Sequence, residues 1–107
     1  MFNKPTPIER SSQRQAEVDR QSQALALYQY NACPYCMKVR REIERLGLPI
    51  ELRDVLKHPE HRQALLQGGG RTMVPCLQIT HDSGKVEWMY ESDDINRYLR
   101  DRFGAKN

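Results

Sequence analysis

Cys33-Pro34-Tyr35-Cys36 sets two cysteines two residues apart where the character of the chain changes. The run before them, Ala24 to Tyr30 (ALALYQY), is largely apolar and reads as a strand buried on both faces of an α/β layer. Asn31 and Ala32 form the turn into the pair. The stretch after them, Met37 to Leu46, has helical spacing: Cys36, Val39, Ile43 and Leu46 share one side, and Lys38, Arg40, Arg41, Glu42, Glu44 and Arg45 fill the other. The cysteines therefore sit at a strand-to-helix turn. Cys33 is expected at or beside the N-cap, exposed, with Pro34 at the first helical position, where a missing N–H costs nothing. A helix N-terminus presents free N–H groups and about half a positive charge. Both favour the thiolate, which is the nucleophilic form of cysteine. Cys36, one turn inside the helix, is within reach of a mixed disulfide formed on Cys33, the arrangement thiol–disulfide exchange needs. The same spacing can also be half of a zinc site. His58 and His61 could supply the other half, but the gap from Cys36 is too long and the His spacing too short for the usual finger pattern.

Downstream, Gly47 suits the position just past a helix end. Pro49 to Val55 alternates like a strand and would pair parallel to the first through a right-handed crossover. Pro59 to Gln67 reads as a second helix with Leu65 and Leu66 turned inward, ended by Gly68-Gly69-Gly70. No Gly-Lys-Ser/Thr follows these glycines, so a phosphate loop is not expected. Cys76-Leu77-Gln78-Ile79 after Pro75 reads as a strand, Asp82-Ser83-Gly84 as a hairpin turn, and Val86 to Tyr90 as the return strand. Ser92 is expected to cap a last helix, Asp93 to Phe103. Asp93 and Asp94 lie in its first turn, and Ile95, Tyr98 and Leu99 on its inner face. Cys76 is expected to be a packing residue, since free cysteine is commonly a small buried hydrophobe; a second redox-responsive thiol is the alternative.

Three of these motifs together resemble the glutaredoxins. Cys33-Pro34-Tyr35-Cys36 resembles their dithiol motif, and Met73-Val74-Pro75-Cys76 their x-Val-Pro turn. Glu91-Ser92-Asp93-Asp94 sits where glutaredoxins, and the N-terminal domains of glutathione transferases, grip the γ-glutamyl end of glutathione. The resemblance covers Leu25 to about Phe103. It implies a thioredoxin-like α/β fold, a four-stranded mixed sheet flanked by helices in the order β-α-β-α-β-β-α. It implies Cys33 as nucleophile and Cys36 as resolving thiol. Tyr35, Val74, Pro75, Glu91, Ser92 and Asp93 would then be the glutathione-binding residues, with Pro75 in the cis form against the cysteines. Val74 would pair through its backbone with the bound peptide, and Ser92 and Asp93 would take the γ-glutamyl carboxylate and amine. Two departures stand out. Glutaredoxins commonly carry Lys three residues before the first cysteine, where this chain has Tyr30; Arg71, Arg62 or Lys38 are the candidates to supply that charge. Glu91-Ser92 is closer to the Glu-Ser of transferases, whose helical second domain is not within these 107 residues. The expectation is a stand-alone glutaredoxin with a transferase-like glutathione grip.

The rest of the chain bounds the function. With 17 basic and 14 acidic residues the net charge is +3, too mild to argue for nucleic acid. No apolar stretch is long enough for a membrane span. Three cysteines, two of them in one CxxC, do not make a secreted disulfide framework, and a reducing, cytoplasmic setting is expected. Residues 1–23 are rich in Gln, Arg, Glu and Ser and lack the apolar core of a signal peptide. They read as a polar N-terminal extension, helical over Ile8 to Gln23, with an apolar face too thin to gain much by packing; residues 24–107 form the glutaredoxin-like domain. The function expected is a glutathione-dependent oxidoreductase that reduces protein disulfides and glutathione mixed disulfides, monomeric, using glutathione as reductant and no metal. Two other readings stand beside it: a carrier holding a 2Fe–2S cluster through Cys33 and glutathione, and a non-catalytic binding module.

Overall fold

The computed structural model describes residues 8–104. Eight elements follow in order: α1 (Ser12–Ser22), β1 (Leu25–Gln29), α2 (Pro34–Arg45), β2 (Glu51–Asp54), α3 (Pro59–Gly69), β3 (Cys76–Thr80), β4 (Val86–Tyr90) and α4 (Ser92–Phe103). The strands form one mixed sheet in the order β2-β1-β3-β4. β1 runs parallel to β2, with Leu27 opposite Leu52, and antiparallel to β3, with Leu27 opposite Leu77. β3 and β4 are an antiparallel hairpin closed at Gly84, whose φ of 89° suits a residue without Cβ. From β1 onward this is the thioredoxin-like layer expected of the sequence.

The central strand explains the two-layer core. All five residues of β1 are buried, and they alternate between faces. Leu25 and Leu27 join Leu77, Ile79, Val39, Ile43, Ile95, Leu99 and Phe103 beneath α2 and α4. Ala26 and Tyr28 join Leu65, Val55 and Cys76 beneath α3. The Tyr28 hydroxyl tolerates this depth because it donates to Gln78 Oε1 (2.9 Å) and accepts from Arg53 (2.7 Å). The inward face predicted for α2 is correct throughout: Cys36, Val39, Ile43 and Leu46 are all buried.

Four local expectations change. α3 continues through Gly68 and Gly69 and ends at Gly70, which takes the left-handed conformation (φ 88°). Those two glycines lie inside the helix because aromatic rings of β4 press on it. A Cβ at Gly68 would fall 2.0 Å from Cζ2 of Trp88, and one at Gly69 2.1 Å from the Tyr90 hydroxyl oxygen. Leu65 faces inward as expected, but Leu66 is on the outer face, 48% exposed; one residue along a helix turns the side chain by about 100°, so neighbours rarely share a face. At α4 the cap is Glu91, at φ 77°, and Ser92 is the first helical residue and buried.

The fourth change concerns the segment before β1. α1 begins later than expected, with Ser11 as its cap accepting from the Arg14 N–H (3.1 Å). Its apolar face is thin, but its one large member, Val18, is fully buried in the core under α2 and α4. Polar groups do the rest. The Ile8 N–H donates to Arg45 O (2.9 Å), Gln15 to Gly47 O (3.0 Å) and Arg10 to Phe103 O (2.6 Å). These carbonyls belong to the C-terminal ends of α2 and α4, which lack partners within their own helices. Residues 1–7 lie outside the described residues.

Candidate active site

The cysteines stand where β1 hands over to α2. Cys33 is the N-cap, with extended backbone (φ −74°, ψ 117°), and Pro34 opens the helix. The Cys36 N–H donates to Cys33 Sγ at 3.2 Å, so the sulfur occupies the position of a capping oxygen. Against expectation, Cys33 is 4% exposed, because the turn wraps it and leaves Tyr35, 65% exposed, at the rim. Cys36 is fully buried, and both cysteines are free thiols. Burial, and then the hydrogen bond with Cys33, push the Cys36 thiol up to about 12. It is therefore held protonated while Cys33 is unmodified. A covalent bond to Cys33 removes the second of those causes and leaves the first, burial, in place.

A further basic residue lies behind this turn. Arg40, on the second turn of α2, donates to Tyr30 O (3.3 Å), Asn31 O (2.9 Å) and the Gln29 side chain. It ties down the loop that carries Cys33. Sequence reasoning assigned Arg40 to the solvated face; its signal was the buried polar Gln29, which requires a partner. Lys38 instead pairs with Asp93, and Arg71 stacks over the Tyr90 ring at 4.2 Å.

Beside the cysteines lies a cleft of about 340 Å³ lined by Tyr35, Met73, Val74, Pro75, Tyr90, Glu91, Ser92 and Asp93. The structure thus brings together all six residues singled out from the sequence besides the two cysteines. The Val74–Pro75 bond is cis. The floor at the far end is the start of α4, where the positive φ of Glu91 turns the chain and presents the first-turn N–H groups. The Lys38 ammonium, through a direct hydrogen bond first and its charge second, holds the Asp93 carboxyl below the usual carboxylate range. Met73 and Tyr90 also line the cleft and were read from sequence only as turn and strand. The Tyr90 hydroxyl donates to Arg71 O (2.8 Å), which fixes the ring as a wall.

Cys76 lies behind the cleft wall, one residue past Pro75 and packed with Val74 and Tyr90. It is fully buried on the α3 side of β3, between Tyr28 and Tyr90 in register, and burial pushes its thiol up to about 12. Near neutral pH both Cys36 and Cys76 are thus held as thiols, and a brief pulse of iodoacetamide is expected to label Cys33. Peptide mapping checks this; Cys76 carrying the label would reject its role as a packing residue. Among the described residues no group of three or more His, Cys, Asp or Glu is arranged to hold a metal ion. The rings of His58 and His61 meet edge-to-face with centroids 5.4 Å apart, and His61 is edge-on to Tyr28. No helix among the described residues is long and apolar enough to cross a membrane.

The profile of the family described as "Glutathione S-transferase, N-terminal domain" matches residues 27–107. This chain belongs to the glutathione S-transferase N-terminal domain family. The match begins inside β1 and takes in the cysteines, the cis-proline turn and α4. No curated protein matches the chain. Among solved structures, this family member is similar to the maleylacetoacetate isomerase of Anaeromyxobacter dehalogenans, crystallised with glutathione in its active site. That similarity is 29% identity over 79% of this chain and 40% of the isomerase, with a TM-score of 0.61. It is also similar to a trimeric glutathione transferase of Leishmania, at 28% identity over 77% of this chain and 19% of that one, TM-score 0.61. An Omega-class transferase from Trametes versicolor shares the fold at 24% identity, over 94% of this chain and 43% of that one, TM-score 0.63. The family member spans about two fifths of the length of the isomerase.

Proposed function

We propose that this chain is a glutathione-dependent thiol–disulfide oxidoreductase of the glutaredoxin kind, acting on protein disulfides and on glutathionylated proteins. One observation carries the reading. Side chains from three separate segments, Tyr35, Val74-Pro75 and Glu91-Ser92-Asp93, line a single cleft against a CxxC whose first sulfur accepts a backbone N–H. The family adds a glutathione-binding precedent, since the related isomerase holds glutathione in its active site. Residues 24–107 carry this chemistry, with residues 1–23 as an extension, in a monomer that works in the cytoplasm.

In the proposed reaction the Cys33 thiolate attacks one sulfur of the target disulfide. A Cys33 mixed disulfide forms, and the other sulfur leaves as a thiolate and takes a proton. The Cys36 thiol loses its proton and attacks Cys33 Sγ, closing the Cys33–Cys36 disulfide and releasing the second target sulfur as a thiol. Two glutathione molecules then restore the dithiol and depart as glutathione disulfide, so two electrons pass from glutathione to the target. Glutathione is held along the cleft. Backbone groups of Val74 pair with its cysteinyl part as an added strand edge does. The N–H groups and Ser92 hydroxyl at the start of α4 take the α-carboxylate, and Asp93 takes the α-ammonium.

Steady-state kinetics of two variants test this. Asp93→Ala is expected to weaken glutathione use by about tenfold to a hundredfold, the scale of a lost charge-assisted hydrogen bond. Cys36→Ser is expected to keep activity on a glutathionylated peptide, which needs Cys33 alone, and to lose activity on protein disulfides that need resolution. Unchanged glutathione dependence in the first, together with loss of both activities in the second, would overturn the glutathione site.

A further inference from the structure

The carboxylate assigned above to the ligand's ammonium already has a cation on it. Asp93 lies at the second position of α4 and Lys38 on the second turn of α2, 55 residues apart in sequence. The Lys38 ammonium donates directly to Asp93 Oδ1, and both side chains are exposed. We propose that Lys38 is a built-in competitor for the γ-glutamyl ammonium at Asp93, and so sets how tightly glutathione is held; this deepens the glutathione reading above and rests on it.

The chemistry of the two cations supports competition. Each is a primary ammonium, each is a compact hydrogen-bond donor, and Asp93 has one carboxylate on the cleft edge to offer. The other nearby cations do not fill the same role. Arg97 pairs with Asp94, and Arg100 with Glu42. Both act on Asp93 only through their fields, and the direct donor is Lys38. Lys38 takes only Oδ1 of that carboxylate. Two ammonium groups on its two oxygens repel each other and together exceed its single negative charge, so glutathione's ammonium is held most tightly when the lysine swings into solvent on its flexible stem. An exposed ion pair is weak, so the lysine moderates affinity without closing the cleft. A glutathione-using reductant gains from this, because product glutathione disulfide and mixed disulfides must leave the same grip after each turn.

The test uses S-methylglutathione, which cannot undergo exchange, and reads its Kd by titration calorimetry on the full chain. Lys38→Met is expected to tighten binding by about twofold to fivefold, the modest scale of a solvent-exposed ion pair. Lys38→Arg restores a donor and is expected to return the Kd toward the starting value. Asp93→Asn weakens binding, and adding Lys38→Met to it is expected to have no further effect, since Lys38 acts through the Asp93 carboxylate. Weaker binding by Lys38→Met would overturn the proposal and make Lys38 a partner of a ligand carboxylate. Tightening that persists in the Asp93→Asn background would also overturn it, as a general charge effect. An unchanged Kd in Asp93→Asn alone would instead overturn the placing of the ammonium on Asp93, and is thereby told apart from failure of the competition.

Discussion

Replacing Cys33 with Ser is expected to cut turnover by roughly a thousandfold or more, the scale seen when an enzyme loses its covalent nucleophile. A serine hydroxyl stays protonated near neutral pH, and no other thiol can take the role. Cys36 lies buried one turn into α2, with burial and Cys33 holding its thiol up to about 12. Cys76 lies on the opposite face of the sheet, also pushed to about 12. Reduction of a glutathionylated peptide by glutathione measures the effect, and S-methylglutathione binding shows that the cleft is intact. More than about a tenth of the starting rate in the variant would place the nucleophile elsewhere.

Phe103→Ala is expected to cost about 3–5 kcal/mol of folding stability. Phe103 is the last residue of α4 and is fully buried among Val18, Leu99 and the sheet, with the Arg102 guanidinium 5.0 Å from its ring centroid. Its removal opens a cavity in the core cluster that also holds Val18, Leu99 and Ile95. The loss also loosens α1, since Val18 shares the pocket. Urea unfolding followed by circular dichroism gives the number. A change below about 1 kcal/mol would mean that the ring is not a structural element of the core.

How far the sequence reveals this depends on whether a feature is local. α2 is legible because four apolar residues at helical spacing define its face, and the turn before it is legible because cysteine and proline both favour a helix start. The six cleft residues were legible only as motifs; their meeting is a product of the sheet order, which brings the turn before β3 and the start of α4 beside the end of β1. What escaped is tertiary. The rotation of α3, which turns Leu66 outward, is set by Trp88 and Tyr90 from a strand some twenty residues away. The burial of Val18 needs α2 and α4 already assembled. Arg40 looks like any charge on a wet face until Gln29 and the Tyr30 carbonyl are placed beneath it. The switch from Ser92 to Glu91 as cap depends on a left-handed backbone that no residue type other than glycine advertises.

The contact of bare helix backbone on aromatic rings at Gly68 and Gly69 makes two distant stretches of sequence interdependent. Positions 68 and 88, and positions 69 and 90, behave as matched halves: a side chain gained on the helix has room only if a ring is lost from the strand. Because the Tyr90 ring is also a wall of the cleft, such an exchange would be felt in the breadth of the ligand groove. A side chain gained at either glycine therefore requires the facing ring to shift or to be lost.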